Sequence, residues 1–133
     1  MYAMRKELHQ YRQAGSIAEA AIADPHRLIQ MLFEGALERI AVARGAMEQG
    51  NIRIKGEKLS QAIAIIQGLR TCLDCDKGAD LAENLDALYD YMARRLLQGN
   101  LHNDSDALDE VSRLLREIKA GWDAIPGMLR QAS

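Results

Sequence analysis

Two cysteines in this chain have the spacing of redox and metal sites. Cys72 and Cys75 form a single C-x-x-C motif, which is typical of thioredoxin-like sites and of one half of many zinc sites. A structural zinc ion needs a full tetrahedral ligand set, and the histidines at positions 9, 26 and 102 form no second paired motif. We therefore interpret the two cysteines as small residues at a helix end, with a redox or zinc module as an alternative.

The other reactive side chains lack the spacing that catalysis requires. A di-iron bundle needs Glu-x-x-His on two helices, whereas Glu7-Leu8-His9 is too closely spaced. No serine lies in a G-x-S-x-G motif, and no glycine motif for binding phosphate is present. The carboxylates between Glu83 and Asp90 indicate a solvated helix face. The sequence thus predicts a protein that is not an enzyme and that holds no cofactor and no metal ion.

Composition narrows the class of partner. The chain has 133 residues, of which 48% are hydrophobic, so it can form one domain with a buried core. Its net charge is -2 and its longest basic runs are two pairs, Arg5-Lys6 and Arg94-Arg95, which argues against nucleic acid. No apolar stretch approaches the ~20 residues of a membrane span, and no apolar signal-peptide segment follows Lys6. We expect a cytoplasmic protein that does not insert into membranes.

Hydrophobic periodicity predicts an all-α protein with four amphipathic helices. Asp24 and Pro25 fit the cap and first position of a helix that ends at Gln49-Gly50-Asn51. Further helices are predicted at about 52–73, 79–99 and 106–124. Asp104 or Ser105 can cap the last one, and Pro126-Gly127 should stop it. Because short loops make neighbouring helices antiparallel, the simplest fold is an up-down four-helix bundle.

The predicted organisation has three parts, which are an N-terminal arm or cap at residues 1–23, the bundle at 24–125 and a loose tail at 126–133. In the arm, Met4, Leu8 and Tyr11 recur at helical spacing, which favours a short amphipathic helix. In the bundle, each helix carries one stripe of apolar residues that should face the core. The stripe of the first helix is Ile29, Leu32, Phe33, Ala36, Ile40, Ala43 and Met47, and that of the second is Leu59, Ala62, Ile63, Ile66, Leu69 and Leu73. The stripe of the third helix is Leu81, Leu85, Leu88, Met92 and Leu96, and that of the fourth is Leu108, Val111, Leu115, Ile118, Trp122 and Ile125.

The second helix carries more apolar surface than a bundle needs. Ile54, Ile65 and Cys72 project about 100° away from its core stripe. Gly68 lies between them and lowers the surface, as a closely packed partner helix would require. These residues indicate a groove for a helix of another protein. Alternatively, the N-terminal arm covers them, or they are exposed apolar residues of the ordinary kind; an arm displaced by a partner would satisfy both interpretations.

The third helix has matching flanks. Its apolar stripe is widened on one side by Tyr89, Ala82 and Ala93, and Asn84 and Tyr91 border the stripe on the other side. A self-associating structural bundle is an alternative, because the same stripes could pair two copies of the chain as a homodimer.

Three segments resemble motifs of the flagellin export chaperone family, FliS. Residues 23–36, ADPHRLIQMLFEGA, resemble its motif A-S-P-x-x-L-I-x-x-L-Y-[DE]-G-A. Residues 58–69, KLSQAIAIIQGL, resemble K-x-x-x-A-x-x-I-I-x-x-L, and residues 82–92, AENLDALYDYM, resemble A-x-N-L-x-x-L-Y-x-Y-M. Gly99-Asn100 and Trp122 also fall where the family places them, so the resemblance extends from about Tyr11 to Trp122.

The resemblance implies a cytoplasmic chaperone that binds the C-terminal segment of newly made flagellin, which is disordered until bound. In the family this segment lies in surface grooves, and binding prevents early polymerisation and delivers flagellin to the type III export gate. The sequence departs from the motifs at Asp24, at Phe33, in the alanines between 18 and 23, and in its cysteines. The predicted partner-binding residues are Tyr11, Ile54, Gln61, Ile65, Gly68, Cys72, Asn84, Leu85, Leu88, Tyr89 and Tyr91.

Overall fold

A computed structural model of the chain describes residues 24–73 and 79–132. These residues form four α-helices, α1 (Pro25–Glu48), α2 (Ile52–Thr71), α3 (Ala79–His102) and α4 (Ser105–Ala132), and include no β-strand. The prediction of an all-α protein with four helices is therefore confirmed. Tyr11, with the rest of the predicted arm, and Cys75 lie outside the described residues.

The chain divides into two compact units, Met1–Met31 and Leu32–Ser133. The described part of the first unit is the start of α1, where the Arg27 backbone N–H donates to Asp24 Oδ1 at 3.2 Å. Asp24 is thus the predicted N-cap, and Pro25 occupies the first helical position, where the N–H that proline lacks would have no partner. The second unit holds the remainder of α1 and the other three helices, which form the bundle.

The core of this second unit receives apolar side chains from all four helices. The largest fully buried ones are Phe33, Ile40, Leu59, Ile66, Met92, Leu96, Leu108, Val111 and Leu115. All of them belong to the predicted stripes, which confirms the orientation of α1, α2 and α4.

The first half of α3 is rotated relative to its predicted stripe. Leu81 is 64% exposed, whereas Ala82 and Tyr89 are buried at 6% and 3% exposure. Leu81 and Ala82 lie 100° apart on the helix, so the sequence offers two adjacent stripes of similar apolarity. The core accepts the large Tyr89 ring between two small residues, Ala82 and the buried Ala93, and this leaves Leu81 outside. The prediction that Leu81 faces the core is wrong.

The turn between α1 and α2 follows from two residues. Gly50 adopts φ +71, and the Asn51 N–H donates to the Ala46 carbonyl at 2.8 Å, which closes the last turn of α1. Asn51 Oδ1 then accepts the Ile54 N–H at 3.2 Å and caps α2. The predicted boundary at Gln49-Gly50-Asn51 is confirmed.

The end of α3 lies three residues beyond the predicted one at Gly99. The helix continues to His102, Asn103 turns at φ +50, and the Asp104 N–H donates to the Gly99 carbonyl at 3.0 Å. Asp104 Oδ1 accepts the Asp106 N–H at 3.0 Å, which confirms Asp104 as the cap of α4.

Gly99 has a packing role instead of a terminating one. A Cβ added to Gly99 would lie 2.7 Å from Leu108 Cδ1, 3.1 Å from Ala107 Cβ and 3.2 Å from the Asp104 carbonyl oxygen. The glycine therefore allows the close approach of α3 and α4 just before their connecting turn.

Helix α4 extends to Ala132, so the prediction that Pro126-Gly127 ends it is wrong. A proline within a helix removes one backbone hydrogen bond and crowds the carbonyl four residues earlier, but its fixed φ is close to the helical value, so it can kink a helix without ending it. The division of the chain into arm, bundle and tail stays a prediction.

Polar contacts join each helix of the bundle to its neighbours. Arg44 Nε of α1 lies 2.6 Å from Asp109 Oδ1 of α4, and Arg70 Nε of α2 lies 2.8 Å from Asp86 Oδ1 of α3. Arg95 Nε of α3 lies 2.7 Å from Glu110 Oε1 of α4. Near the turn between α1 and α2, Lys55 of α2 is buried, and its Nζ donates to the Asn100 carbonyl of α3 at 3.0 Å. Each pair joins neighbours in an up-down arrangement.

Because of these ion pairs, we expect the protein to become less stable at acidic pH. Hydrogen bonds from Arg70, Arg44 and Arg95 hold the pKa values of Asp86, Asp109 and Glu110 below their ordinary values. A carboxyl with a lowered folded-state pKa stabilises the fold at pH values above its unfolded-state pKa of about 4. That contribution is lost as the pH falls through the folded-state pKa.

Urea unfolding at pH values between 7 and 2 tests this expectation. The free energy of unfolding should be level near neutrality and should decline below about pH 4. A triple variant with Asp86→Asn, Asp109→Asn and Glu110→Gln should show a shallower decline. An equally steep decline in the triple variant would mean that other carboxylates cause the acid sensitivity.

Candidate protein-binding groove

Most of the predicted partner-binding residues of α2 lie on the side of that helix that faces α1. Ile54, Gln61, Ile65 and Gly68 are each half-buried, and their spacing places them in one row. A Cβ added to Gly68 would meet no heavy atom within 4 Å, so the surface above this glycine is open.

The facing wall comes from the second-unit part of α1. Arg39 Nε donates to Gln61 Oε1 at 3.2 Å, and a Cβ added to Gly35 would lie 3.4 Å from Ile65 Cδ1. Val42 follows Arg39 by three residues on the same side of α1 and is 43% exposed. We name this surface the α1–α2 groove and define it by Gly35, Arg39, Val42, Ile54, Gln61, Ile65 and Gly68.

Cys72 lies one turn beyond Gly68, at the C-terminal cap of α2. Its backbone N–H donates to the Gly68 carbonyl at 3.2 Å, and its side chain is exposed. Within residues 24–73 and 79–132, no group of three or more His, Cys, Asp or Glu side chains is placed to hold a metal ion.

The predicted residues of α3 differ in exposure. Asn84 is exposed, while Leu85 and Leu88 are half-buried. Tyr91 is 37% exposed, and its hydroxyl donates to Glu110 Oε2 of α4 at 2.8 Å. This hydrogen bond to the carboxylate raises the pKa of Tyr91 above its ordinary value. Tyr91 therefore faces α4, whereas Gln61 and Ile65 of the α1–α2 groove lie against α1.

Tyr89 belongs to the core in this structure. It is 3% exposed, and its burial, together with the nearby Cys72 thiol, raises the pKa of its phenol to about 12. A partner could contact Tyr89 only after its ring leaves the core, so its binding role stays a prediction.

None of the helices, in the part of the chain that the structure describes, is both long and apolar enough to cross a membrane.

Comparison with known proteins identifies the family. A family model described as "Flagellar protein FliS" matches residues 7–128. The chain belongs to the FliS family. The flagellar secretion chaperone FliSB of Pseudomonas aeruginosa is 54% identical over 125 residues, which cover 94% of this chain and 98% of that protein. The flagellar secretion chaperone FliS of Vibrio cholerae is 46% identical over 123 residues, covering 92% and 90%, and that of Salmonella typhimurium is 49% identical over 116 residues, covering 86% of each.

The family predicted from the three motifs is therefore confirmed. The α1 wall of the groove was not among the predicted site residues. Arg39 and Val42 flank the predicted core residue Ile40, so their positions beside the core stripe were the available signal. Leu81 was also missed as a surface residue, because it was assigned to the core.

Proposed function

We propose that this FliS-family protein is a cytoplasmic flagellar export chaperone that binds the disordered C-terminal segment of flagellin. The proposal rests on the function stated in the names of similar proteins. Proteins 54% and 46% identical to this chain, over 94% and 92% of its length, are named flagellar secretion chaperones. Similarity over nearly the whole chain includes all the helices that line the α1–α2 groove.

The distribution of apolar surface supports a client that wraps around the bundle. Ordering a disordered segment costs about 1–2 kcal/mol of backbone entropy per residue. Buried apolar surface contributes about 25 cal/mol per Å², so each ordered residue needs roughly 40–80 Å² of it. The α1–α2 groove and the half-buried Leu85 and Leu88 of α3 are candidate contact regions for such a segment.

Binding of the C-terminal segment would keep flagellin from polymerising. While that segment lies on the chaperone, it is not available to neighbouring flagellin subunits, and flagellin stays unpolymerised. The complex would deliver flagellin to the type III export apparatus through a contact with an export-gate component. This role involves no catalysis and no cofactor.

Calorimetric titration with a flagellin C-terminal segment tests the proposal. We expect saturable binding, a negative heat-capacity change, and a gain of helical circular dichroism beyond the sum of the free components. The N-terminal segment of the same flagellin is the matched control and should not bind comparably. Absence of binding by the C-terminal segment would refute the proposal.

A self-associating bundle is the second candidate, and one exposed patch favours it. Ile52 is 75% exposed, Leu101 is 70% exposed and Leu97 is 51% exposed. Ile52 and Leu101 lie at the same end of the bundle, since nearby Lys55 contacts Asn100. Light scattering without flagellin distinguishes the two candidates. A tight dimer that does not bind the flagellin segment would favour self-association, whereas a monomer would exclude it.

A further inference from the structure

Arg39, in the middle of the α1–α2 groove, is a half-buried cation held only by neutral oxygen atoms. Its Nε donates to Gln61 Oε1 at 3.2 Å, and its Nη1 donates to the Gly35 carbonyl at 3.1 Å. Neither acceptor carries a charge that would neutralise the guanidinium. Nη2 makes no hydrogen bond to the described residues and stays open to solvent.

Other half-buried arginines of the bundle have a different environment. Arg70, with 27% of its side chain exposed, pairs with Asp86, and Arg95, with 26% exposed, pairs with Glu110. Arg39 has no carboxylate within ion-pairing distance among the described residues, although it is also partly removed from water. An apolar client that covered this cation would leave a buried charge without a partner, which is costly, so the groove favours a client that brings an anionic group.

We propose that Arg39 is the carboxylate anchor of the α1–α2 groove and pairs with an acidic side chain on the bound client helix. The inference rests on the proposed function, which it deepens by naming a determinant of client choice. The client helix would place its apolar face on Ile54 and Ile65, with the open surface at Gly68 admitting its backbone. An aspartate or glutamate beside that face would then meet the guanidinium.

The geometry of Arg39 suits this role. The contacts with Gln61 and Gly35 fix the plane of the guanidinium before the client arrives, which lowers the ordering cost of binding. A planar guanidinium binds a carboxylate through paired N–H···O bonds, which a lysine ammonium cannot reproduce. Once the apolar face of the client covers the groove, the pair would lie in a medium of low dielectric constant, which strengthens it.

Calorimetric titration of the full chain with the flagellin C-terminal segment tests the anchor. Arg39→Gln should weaken binding by about tenfold, and Arg39→Lys should weaken it by a smaller factor, in line with the strength of charged hydrogen bonds. The affinity of the wild-type chain should also fall more steeply with salt than that of Arg39→Gln. Arg53→Gln is the matched control, because Arg53 is 80% exposed and pairs with Glu57 on its own helix.

Changing the client distinguishes a direct contact between Arg39 and the client from a merely structural role of Arg39. Each acidic residue of the flagellin segment is replaced by its amide and titrated onto both the wild-type chain and Arg39→Gln. We expect one replacement to weaken binding to the wild-type chain by about tenfold and to leave binding to Arg39→Gln unchanged. Thermal unfolding of each chaperone variant verifies that it is folded.

The outcomes distinguish this inference from the proposed function. If the wild-type chain binds the segment but Arg39→Gln binds equally well, or if no acidic residue of the client couples to Arg39, the anchor is refuted and the chaperone role stands. If the wild-type chain does not bind the segment at all, the proposed function is refuted and the anchor with it.

Discussion

Replacing Ile65 with aspartate should weaken binding of the flagellin C-terminal segment by about a hundredfold or more. Ile65 is half-buried in the α1–α2 groove, with Cδ1 close to the Gly35 backbone of the facing helix. Because Ile65 is already half-buried, covering its remaining surface contributes only part of the roughly 1.5–3 kcal/mol of full burial, and each 1.4 kcal/mol is about a tenfold change in affinity. A carboxylate under an apolar client surface adds a desolvation cost to that loss.

Two further variants separate the causes. Ile65→Asn removes the apolar contact without introducing a charge. Because Ile65 lies one turn from Gln61, which contacts Arg39, the carboxylate of Ile65→Asp can also neutralise the guanidinium. Ile65→Asp should therefore bind less well than Ile65→Asn. Ser60→Asp, at an exposed position of the same helix, should bind normally.

Circular dichroism and calorimetry together decide the outcome for Ile65. The variant should keep its helical content and lose its affinity. If Ile65→Asp is folded and binds normally, or if it unfolds, Ile65 is not a residue of a client groove.

Gly99→Ala should lower the free energy of unfolding by about 1–3 kcal/mol, the usual cost of overpacking. This direction is opposite to helix propensity, which favours alanine over glycine by about 1 kcal/mol. The added methyl group would meet Leu108 Cδ1 at 2.7 Å, and Leu108 is fully buried, so its side chain has little room to move. The Asp104 carbonyl at 3.2 Å belongs to the connecting turn, which restricts a backbone shift as well.

Gly45→Ala is the matched control for Gly99→Ala. Gly45 lies inside α1, and a Cβ added there would meet nothing within 4 Å. Helix propensity should act alone at this position and raise the free energy of unfolding by about 0.5–1 kcal/mol. Urea unfolding measures both variants. Equal gains at both positions would show that Leu108 yields to the new methyl group without cost.

The features that could be predicted from the sequence depend on short-range interactions. Asp24, Asn51 and Asp104 accept N–H groups two or three residues ahead, so the caps follow from the local sequence. Gly50 turns the chain at a positive φ that glycine adopts without steric cost. The row of Ile54, Ile65 and Gly68 follows from helical periodicity, because a second apolar stripe is visible within one helix.

Only the tertiary structure decided the features that depend on a second helix. Ala82 and Tyr89 of α3 are buried in the core and Leu81 is exposed. The sequence alone does not distinguish the two, because the stripe with Leu81 and the stripe with Ala82 and Tyr89 are similarly apolar. Gly99 resembled a helix end until Leu108 of α4 defined its role. Arg39 became part of the candidate site through Gln61, which lies 22 positions away. Backbone hydrogen bonding and periodicity operate within a few residues, whereas core packing and the groove require the register between helices, which a single sequence does not contain.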